Sequence, residues 1–197
     1  MATLFVDKLD PQSGTALEIG TSGDTITIPA GATIVNSGTA TGFGGITVVD
    51  LWRLSAVAIG SHDPLSANWE RADTDGAGVV GSGMTESSGV FTFPSTGIWR
   101  IEFLCYMYLN GDNRGITCDL ETATDGTTFD RAASAAVFIQ QTSGSNTYNG
   151  GYCTFIMDVT NVSTHKVQFV AGATDVRVGG ATGDNATTVV FTRLGDT

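Results

Sequence analysis

The sequence predicts an all-β sandwich, and three observations carry that expectation. Of 197 residues, 26 are glycine, 41 % are apolar and only 15 % are charged, a profile of strands joined by many turns. Apolar runs are of strand length and end at Gly, Pro, Ser, Asn or Asp, the residues that turns favour. In the longest run, Trp99, Ile101, Phe103, Cys105, Met107 and Leu109 recur with period two, so one strand face is wholly apolar.

Residues 1–45 stand apart from the rest. Segments 16–20, with Leu17 and Ile19, and 25–29, with Ile26 and Ile28, read as two short alternating strands. A third, weaker apolar run occupies 32–35. Strands this short cannot form a core of their own. Leu17, Ile19, Ile26 and Ile28 are therefore expected to pack against sister chains or a larger partner, making 1–45 a β-rich attachment and oligomerisation segment. The other reading, a flexible Gly/Thr linker, needs neither the spaced isoleucines nor the strand end at Pro29. A Gly/Thr hinge at 39–45 marks the boundary to the main domain, 46–197.

The main domain opens with a near-continuous apolar strand over 46–59, interrupted by Asp50 and Arg53. Residues 90–93 form a strand that stops at Pro94, which has no amide to donate to a ladder. After a loop at Ser95, Thr96 and Gly97 comes the long strand. Its second face reads Ile98, Arg100, Glu102, Leu104, Tyr106, Tyr108, charged at first and aromatic at the end. A second face that turns apolar needs burial beyond the sandwich core, so Leu104, Tyr106 and Tyr108 are the candidate subunit contact. Further strands are expected at 116–122, 152–159, 166–171 and 187–194. The alanine-rich run 132–141 is ambiguous, and its length and β-branched end favour strand. The total is eight to ten strands and no helix.

The pattern Gly89-x-Phe91-x-x-Pro94-x-x-Gly97-x-Trp99, followed by a long apolar strand, resembles the second hairpin of the complement and tumour-necrosis-factor type of jelly roll. Trp69-Glu70-Arg71-Ala72-Asp73 resembles that family's short crossing strand, and 187–194 its closing central strand. The resemblance spans about residues 50–197 and implies a jelly-roll β-sandwich that assembles as a homotrimer; it is poor on ligand. Trp-Glu-Arg and the Thr-Arg-Leu-Gly ending look most like versions on virion proteins of tailed bacteriophages. The N-terminal segment, from Phe5 through the Thr-Ile-Thr-Ile-Pro run, resembles those of tail-fibre and other virion proteins.

Several classes are disfavoured. No apolar run approaches the roughly 20 residues that span a bilayer, and no signal peptide is expected, since a basic region and apolar core are missing at the start. A net charge of −11 repels phosphate backbones and anionic membranes, so neither nucleic acid nor membrane insertion is expected. Cys105, Cys118 and Cys153 form no Cys-x-x-Cys pair and sit in strand-like runs, which suits buried reduced thiols and folding in a reducing cytosol.

Motifs with chemical promise are few. Gly76-x-Gly78-x-x-Gly81 spells a dinucleotide fingerprint, but loop-type sequence flanks it where a strand and a helix are required. Asp73-Thr74-Asp75-Gly76 resembles the start of a calcium loop without its terminal Glu. A turn with solvated acids is favoured, and calcium stays the alternative because jelly-roll relatives sometimes hold it. His62 and His165 have no metal-ligand spacing, and no nucleophile elbow exists. Asp119 and Glu121 share a strand side, as some acids must in a chain with 20. No enzyme activity and no cofactor are expected.

Three readings follow. The first is a virion structural protein: a homotrimeric surface appendage (short tail fibre, head fibre or capsid decoration), attached through 1–45 to capsid or tail proteins, made in the host cytoplasm and displayed on the virion surface. The alternative is a receptor- or glycan-binding module, using loops 110–114 and 143–151 with Tyr148 and Tyr152 against a host surface glycan. A depolymerase, needing paired acids in a cleft, ranks last.

Overall fold

The computed structural model describes Leu9, Pro11, residues 13–35 and residues 46–197, which belong to two units, Met1–Phe43 and Gly44–Thr197. The hinge expected at 39–45 and the stretch 5–8 lie outside the described residues. In the first unit the expected strands at 16–20, 25–29 and 32–35 do not form. The chain there is extended and irregular, with a turn closed by Asp24, whose amide donates to the Thr21 carbonyl at 3.0 Å. Leu17, Ile19, Ile26 and Ile28 are exposed. The physical reason is the lack of a ladder partner: an isolated short strand leaves its amides to water and buries nothing.

The second unit contains twelve strands and, among the described residues, no helix. They are β1 (Val48–Leu54), β2 (Ala56–Ile59), β3 (Trp69–Arg71), β4 (Thr85–Ser87), β5 (Val90–Thr92), β6 (Gly97–Leu109), β7 (Asn113–Ala123), β8 (Asp130–Ile139), β9 (Thr147–Val159), β10 (Lys166–Gly172), β11 (Arg177–Ala181) and β12 (Thr188–Gly195). One sheet has the order β2-β11-β6-β12-β1-β3, with β9 on the free side of β6; the other runs β4-β5-β10-β7-β8. All pairings are antiparallel. The first and last strands lie side by side, Val48 opposite Arg193.

Three expectations need correction. The count of eight to ten strands is too low, because β4 is only three residues and β11 holds Gly179 and Gly180, which blur any period. The apolar run 46–59 is two strands, broken where the Ser55 amide and hydroxyl both turn to the Asn68 carbonyl, at 2.8 and 3.0 Å. The stretch 90–109 is not a hairpin: β5 pairs with β4 and β10, whereas β6 pairs with β9, β11 and β12 in the opposite sheet. Residues 93–96 form the arch, and about 3.3 Å per extended residue lets them cross the ~10 Å between sheets. Gly97 ends the arch at φ 138°, and a Cβ there would stand 2.5 Å from the Gly195 carbonyl oxygen, so only glycine fits.

The predicted core face of β6 is buried as expected, with Trp99, Ile101, Phe103, Cys105 and Met107 all at 0 % exposure and Leu109 half-buried. Against it pack Phe91, Phe93, Phe169 and Phe191, with Phe103 to Phe169 at 4.9 Å and Phe93 to Trp99 at 5.1 Å between ring centroids. The run 130–139 is a strand, as its length favoured.

Asp50 and Arg53 do not interrupt the opening strand; they anchor it. Asp50 is fully buried and accepts from Arg71 Nε (2.8 Å), Arg71 Nη2 (3.0 Å), Trp52 Nε1 (2.8 Å) and the Met84 amide (2.6 Å). Arg53, 1 % exposed, donates to Glu70 (2.8 Å), Thr74 Oγ1 (2.6 Å) and Asp73 (2.7 Å). The Trp-Glu-Arg segment is thus fixed to β1 residue by residue: Trp69 goes into the core, Glu70 sits opposite Arg53, and Arg71 clasps Asp50. Buried charges persist only when so completely partnered.

Candidate assembly face and distal cavity

The outer face of β6 meets the outer face of β9 along thirteen paired residues. Tyr108 lies opposite Tyr148, Leu104 opposite Tyr152, and Arg100 opposite Ile156. Tyr106 lies opposite Gly150, so no side chain stands in its way. Its ring stacks on the diagonal neighbour Tyr148, centroids 5.7 Å apart and planes 15° from parallel, and Tyr108 closes the group at 5.5 Å from Tyr148. On the other flank a Cβ on Gly179 would fall 2.5 Å from Tyr106 Cδ1, so the bare backbone of β11 is what gives the ring its seat. Desolvation, then the neighbouring Tyr148, raises the Tyr106 hydroxyl above the ordinary tyrosine value.

Leu104, Tyr106 and Tyr108 therefore share one surface, as expected, and β9 enlarges it. Tyr148 is 56 %, Tyr152 50 %, Ile156 52 % and Leu104 43 % exposed, an apolar and aromatic cluster on one sheet face. The alternation Tyr148, Gly150, Tyr152, Thr154, Ile156 was the signal in the sequence for β9's share. Tyr148, expected in loop 143–151, is consequently a strand residue of this face, as is Tyr152 in the strand expected at 152–159, so neither stands on a recognition loop. Tyr152 donates its hydroxyl to Glu102 Oε1 at 2.5 Å, and Arg100 binds the same oxygen at 2.8 Å, fixing the charged end of the face.

Of the expected loops 110–114 and 143–151, only 110–112 and 143–146 lie outside strands, and these turns are tied by their own polar groups. Asn110 Nδ2 donates to the Gly144 carbonyl at 3.4 Å, Gln141 Nε2 donates to Asn110 Oδ1, and the Gln141 amide donates to Asp112 Oδ1 at 2.6 Å. Beside them opens a cavity of about 320 Å³ lined by Asp112, Arg114, Phe138, Ile139 and Gln140.

The remaining candidates are engaged in structure. Asp73 and Thr74 of the calcium-like turn cap Arg53, so Asp73 is an ion-pair partner and not a merely solvated acid. Gly76, Gly78 and Gly81 lie in a loop that bridges to β1 from Val80 to Val49, with no helix after it among the described residues for pyrophosphate. Asp119 accepts from Ser134 Oγ (2.5 Å) and Arg131 (3.1 Å), and Glu121 from Gln168 (2.8 Å). His165 lies within reach of the Thr160 and Thr164 hydroxyls, at 3.4 and 3.2 Å, and His62 Nε2 is buried without a partner among the described residues. No cluster of three metal-ligating side chains occurs among the described residues.

Cys105, Cys118 and Cys153 are free and buried, and they converge between the sheets, with Cys153 Sγ donating to the Cys118 carbonyl at 3.0 Å. Proximity to Cys118, then burial, raises the Cys105 thiol well above its usual value; burial, then Cys118 and Asp119, push Cys153 up to about 11. Such thiols are unreactive.

No protein-family model matches the chain, and no curated protein matches it in sequence. Solved structures do match in shape. The structure of Eiger TNF from S. frugiperda aligns at TM-score 0.56 and 16 % identity, over 76 % of this chain and 94 % of that one. The fold is a TNF-like jelly roll. Murine APRIL at pH 5.0 aligns at TM-score 0.51 and 13 % identity, over 75 % of this chain and 98 % of that one. At these identities the likeness concerns the fold alone.

Proposed function

We propose that this chain is a non-enzymatic homotrimeric structural module, its TNF-like jelly roll displayed outward and its segment 1–45 serving for attachment. The observation that carries the reading is the Leu104, Tyr106, Tyr108, Tyr148, Tyr152 and Ile156 face. It is apolar on the side of the sheet opposite a complete core, and closed cyclic symmetry buries such a patch without leaving a repeating sticky surface. Exposed Leu17, Ile19, Ile26 and Ile28 in 1–45 support attachment, because they have nothing to pack on in a single chain. The Trp-Glu-Arg and Thr-Arg-Leu-Gly resemblance favours the surface of a tailed-phage virion as the setting. Sedimentation velocity on dilute protein tests the assembly: a trimer is expected, and a stable monomer overturns it. Immunogold imaging of particles tests the setting, with label on the capsid or tail expected and unlabelled particles counting against it.

A second reading, recognition of a host glycan, draws on the cavity at Arg114 and Phe138 and no longer on Tyr148 and Tyr152, which belong to the assembly face.

A further inference from the structure

Arg114 is exposed and, among the described residues, forms no ion pair, unlike Arg53, Arg71, Arg100, Arg131 and Arg193. Its position comes from an irregularity in the β7–β8 ladder. Asn113 pairs with Ile139 and Ile116 with Val137, so Arg114 and Gly115 together face the single residue Phe138. Such a bulge turns a side chain out of its regular alternation and is frequent beside binding sites. It is held by local bonds: Asn113 Oδ1 accepts the Gly115 amide at 3.0 Å, and Asn113 Nδ2 donates to the Thr174 carbonyl at 3.4 Å. The Phe138 carbonyl accepts from Asn149 Nδ2 at 2.5 Å, while its ring stays 61 % exposed. Asp112 gives one carboxylate oxygen to the Gln141 amide.

We propose that the cavity lined by Asp112, Arg114 and Phe138 binds a carboxylated sugar, a uronic-acid type of residue. This rests on the glycan-recognition reading and is independent of trimer formation. Each lining group selects one part of such a ligand. The guanidinium takes a carboxylate in a bidentate pair, the contact for which its planar fork is suited. The Phe138 ring offers an apolar plane for the C–H face of a pyranose. The second oxygen of Asp112 accepts a sugar hydroxyl. A phosphate ester fits worse, because its second charge meets Asp112 and a chain of net charge −11. The volume of about 320 Å³ lies at the small end of the ~300–1,000 Å³ that ligand sites occupy, which suits a single ring held at a chain end.

The test uses the full chain with methyl β-D-glucuronide and methyl β-D-glucoside, which differ only at the carboxylate, followed by chemical-shift titration of the Gly115 and Phe138 amides. The glucuronide should bind at least ~10-fold tighter, the effect of one hydrogen-bonded charge pair. Arg114→Gln should abolish that preference, Arg114→Lys should keep part of it, and Phe138→Ala should weaken both sugars. Arg177→Gln, outside the cavity lining, should change nothing. Equal binding of both sugars at these amides overturns the carboxylate assignment and leaves glycan recognition standing. Absence of shifts with either sugar at tens of millimolar overturns both. An unchanged preference in Arg114→Gln overturns the site.

Discussion

Tyr106 stacks on Tyr148, one ring from β6 and one from β9, with planes only 15° from parallel. Both rings belong to the surface assigned to subunit contact, so the pair pre-forms an aromatic plate before any partner arrives. Tyr106→Ala should weaken self-association by about 2 kcal/mol or more, the level at which an interface aromatic dominates binding. Its effect on subunit unfolding should be smaller. Dilution series by sedimentation and urea melts separate the two; equal loss in both measurements would mean the face is core and not interface.

Phe103 gives the complementary case, on the same strand but the opposite face. It is fully buried beside Phe169. Phe103→Ala should cost about 3–5 kcal/mol of fold stability, the usual loss for a deleted core aromatic. A change below about 1 kcal/mol in the urea midpoint analysis, no more than a single deleted core methylene commonly costs, would show that the site collapses around the gap.

The Asp50–Arg71 pair should be costly to split and cheap to replace whole. Arg71→Ala strands the fully buried Asp50 carboxylate and should destabilise by about 3–5 kcal/mol, as leaving one buried charge unpaired does. Removing both charges with apolar residues of similar volume should recover most of that loss. A double variant as weak as the single one would argue that the pair itself stabilises the fold.

Alkali should unfold the protein earlier than its core size suggests. Cys153 ionises near 9.0 in an unfolded chain and near 11 here, and Cys105 is also raised. A group raised on folding contributes stability below its unfolded value and loses it as pH climbs to the folded one. Urea midpoints should therefore hold to about pH 9 and fall between pH 9 and 11. Cys153→Ala should shallow that fall, and an identical slope would remove the thiols from the account.

A protein beginning at Ile46 should stay soluble, β-rich and trimeric, because every strand of the sandwich lies after that point. It should fail to bind particles lacking the protein, which full-length chain should still decorate. Ile26→Asp with Ile28→Asp should abolish that decoration by placing charge in an apolar contact. Equal decoration by the shortened protein would move attachment to the jelly roll itself.

Much of the fold was legible because β6 repeats its apolar face without a break and Pro94 and Gly97 punctuate its approach. The pairing of that strand was not, since nothing in residues 89–109 distinguishes a hairpin from an arch between sheets. Asp50 and Arg53 looked like flaws because local periodicity carries no information about Arg71 and Glu70, their partners across β3. The segments expected as strands in 16–35 form none in the single chain, for a similar reason: alternation marks which side a strand would bury, and says nothing of whether a neighbour exists. Loop 110–114 was legible as a candidate binding element, but the cavity at Arg114 was not, as a bulge between Asn113 and Ile116 depends on the register of β8.

The antiparallel register of β1 and β12 gives the sandwich a direction. Val48 faces Arg193 and Ile98 faces Gly195, so the chain enters the domain and leaves it at the same end, where β6 also starts. β6 then runs its thirteen residues away from that end, and Leu109, Asp112 and Arg114 arrive at the opposite pole. A partner held at Val48 itself would sit at the end of the sandwich remote from this pole. A tag or cargo fused after Gly195 would leave from the Val48 end of the sandwich and keep the far pole unobstructed.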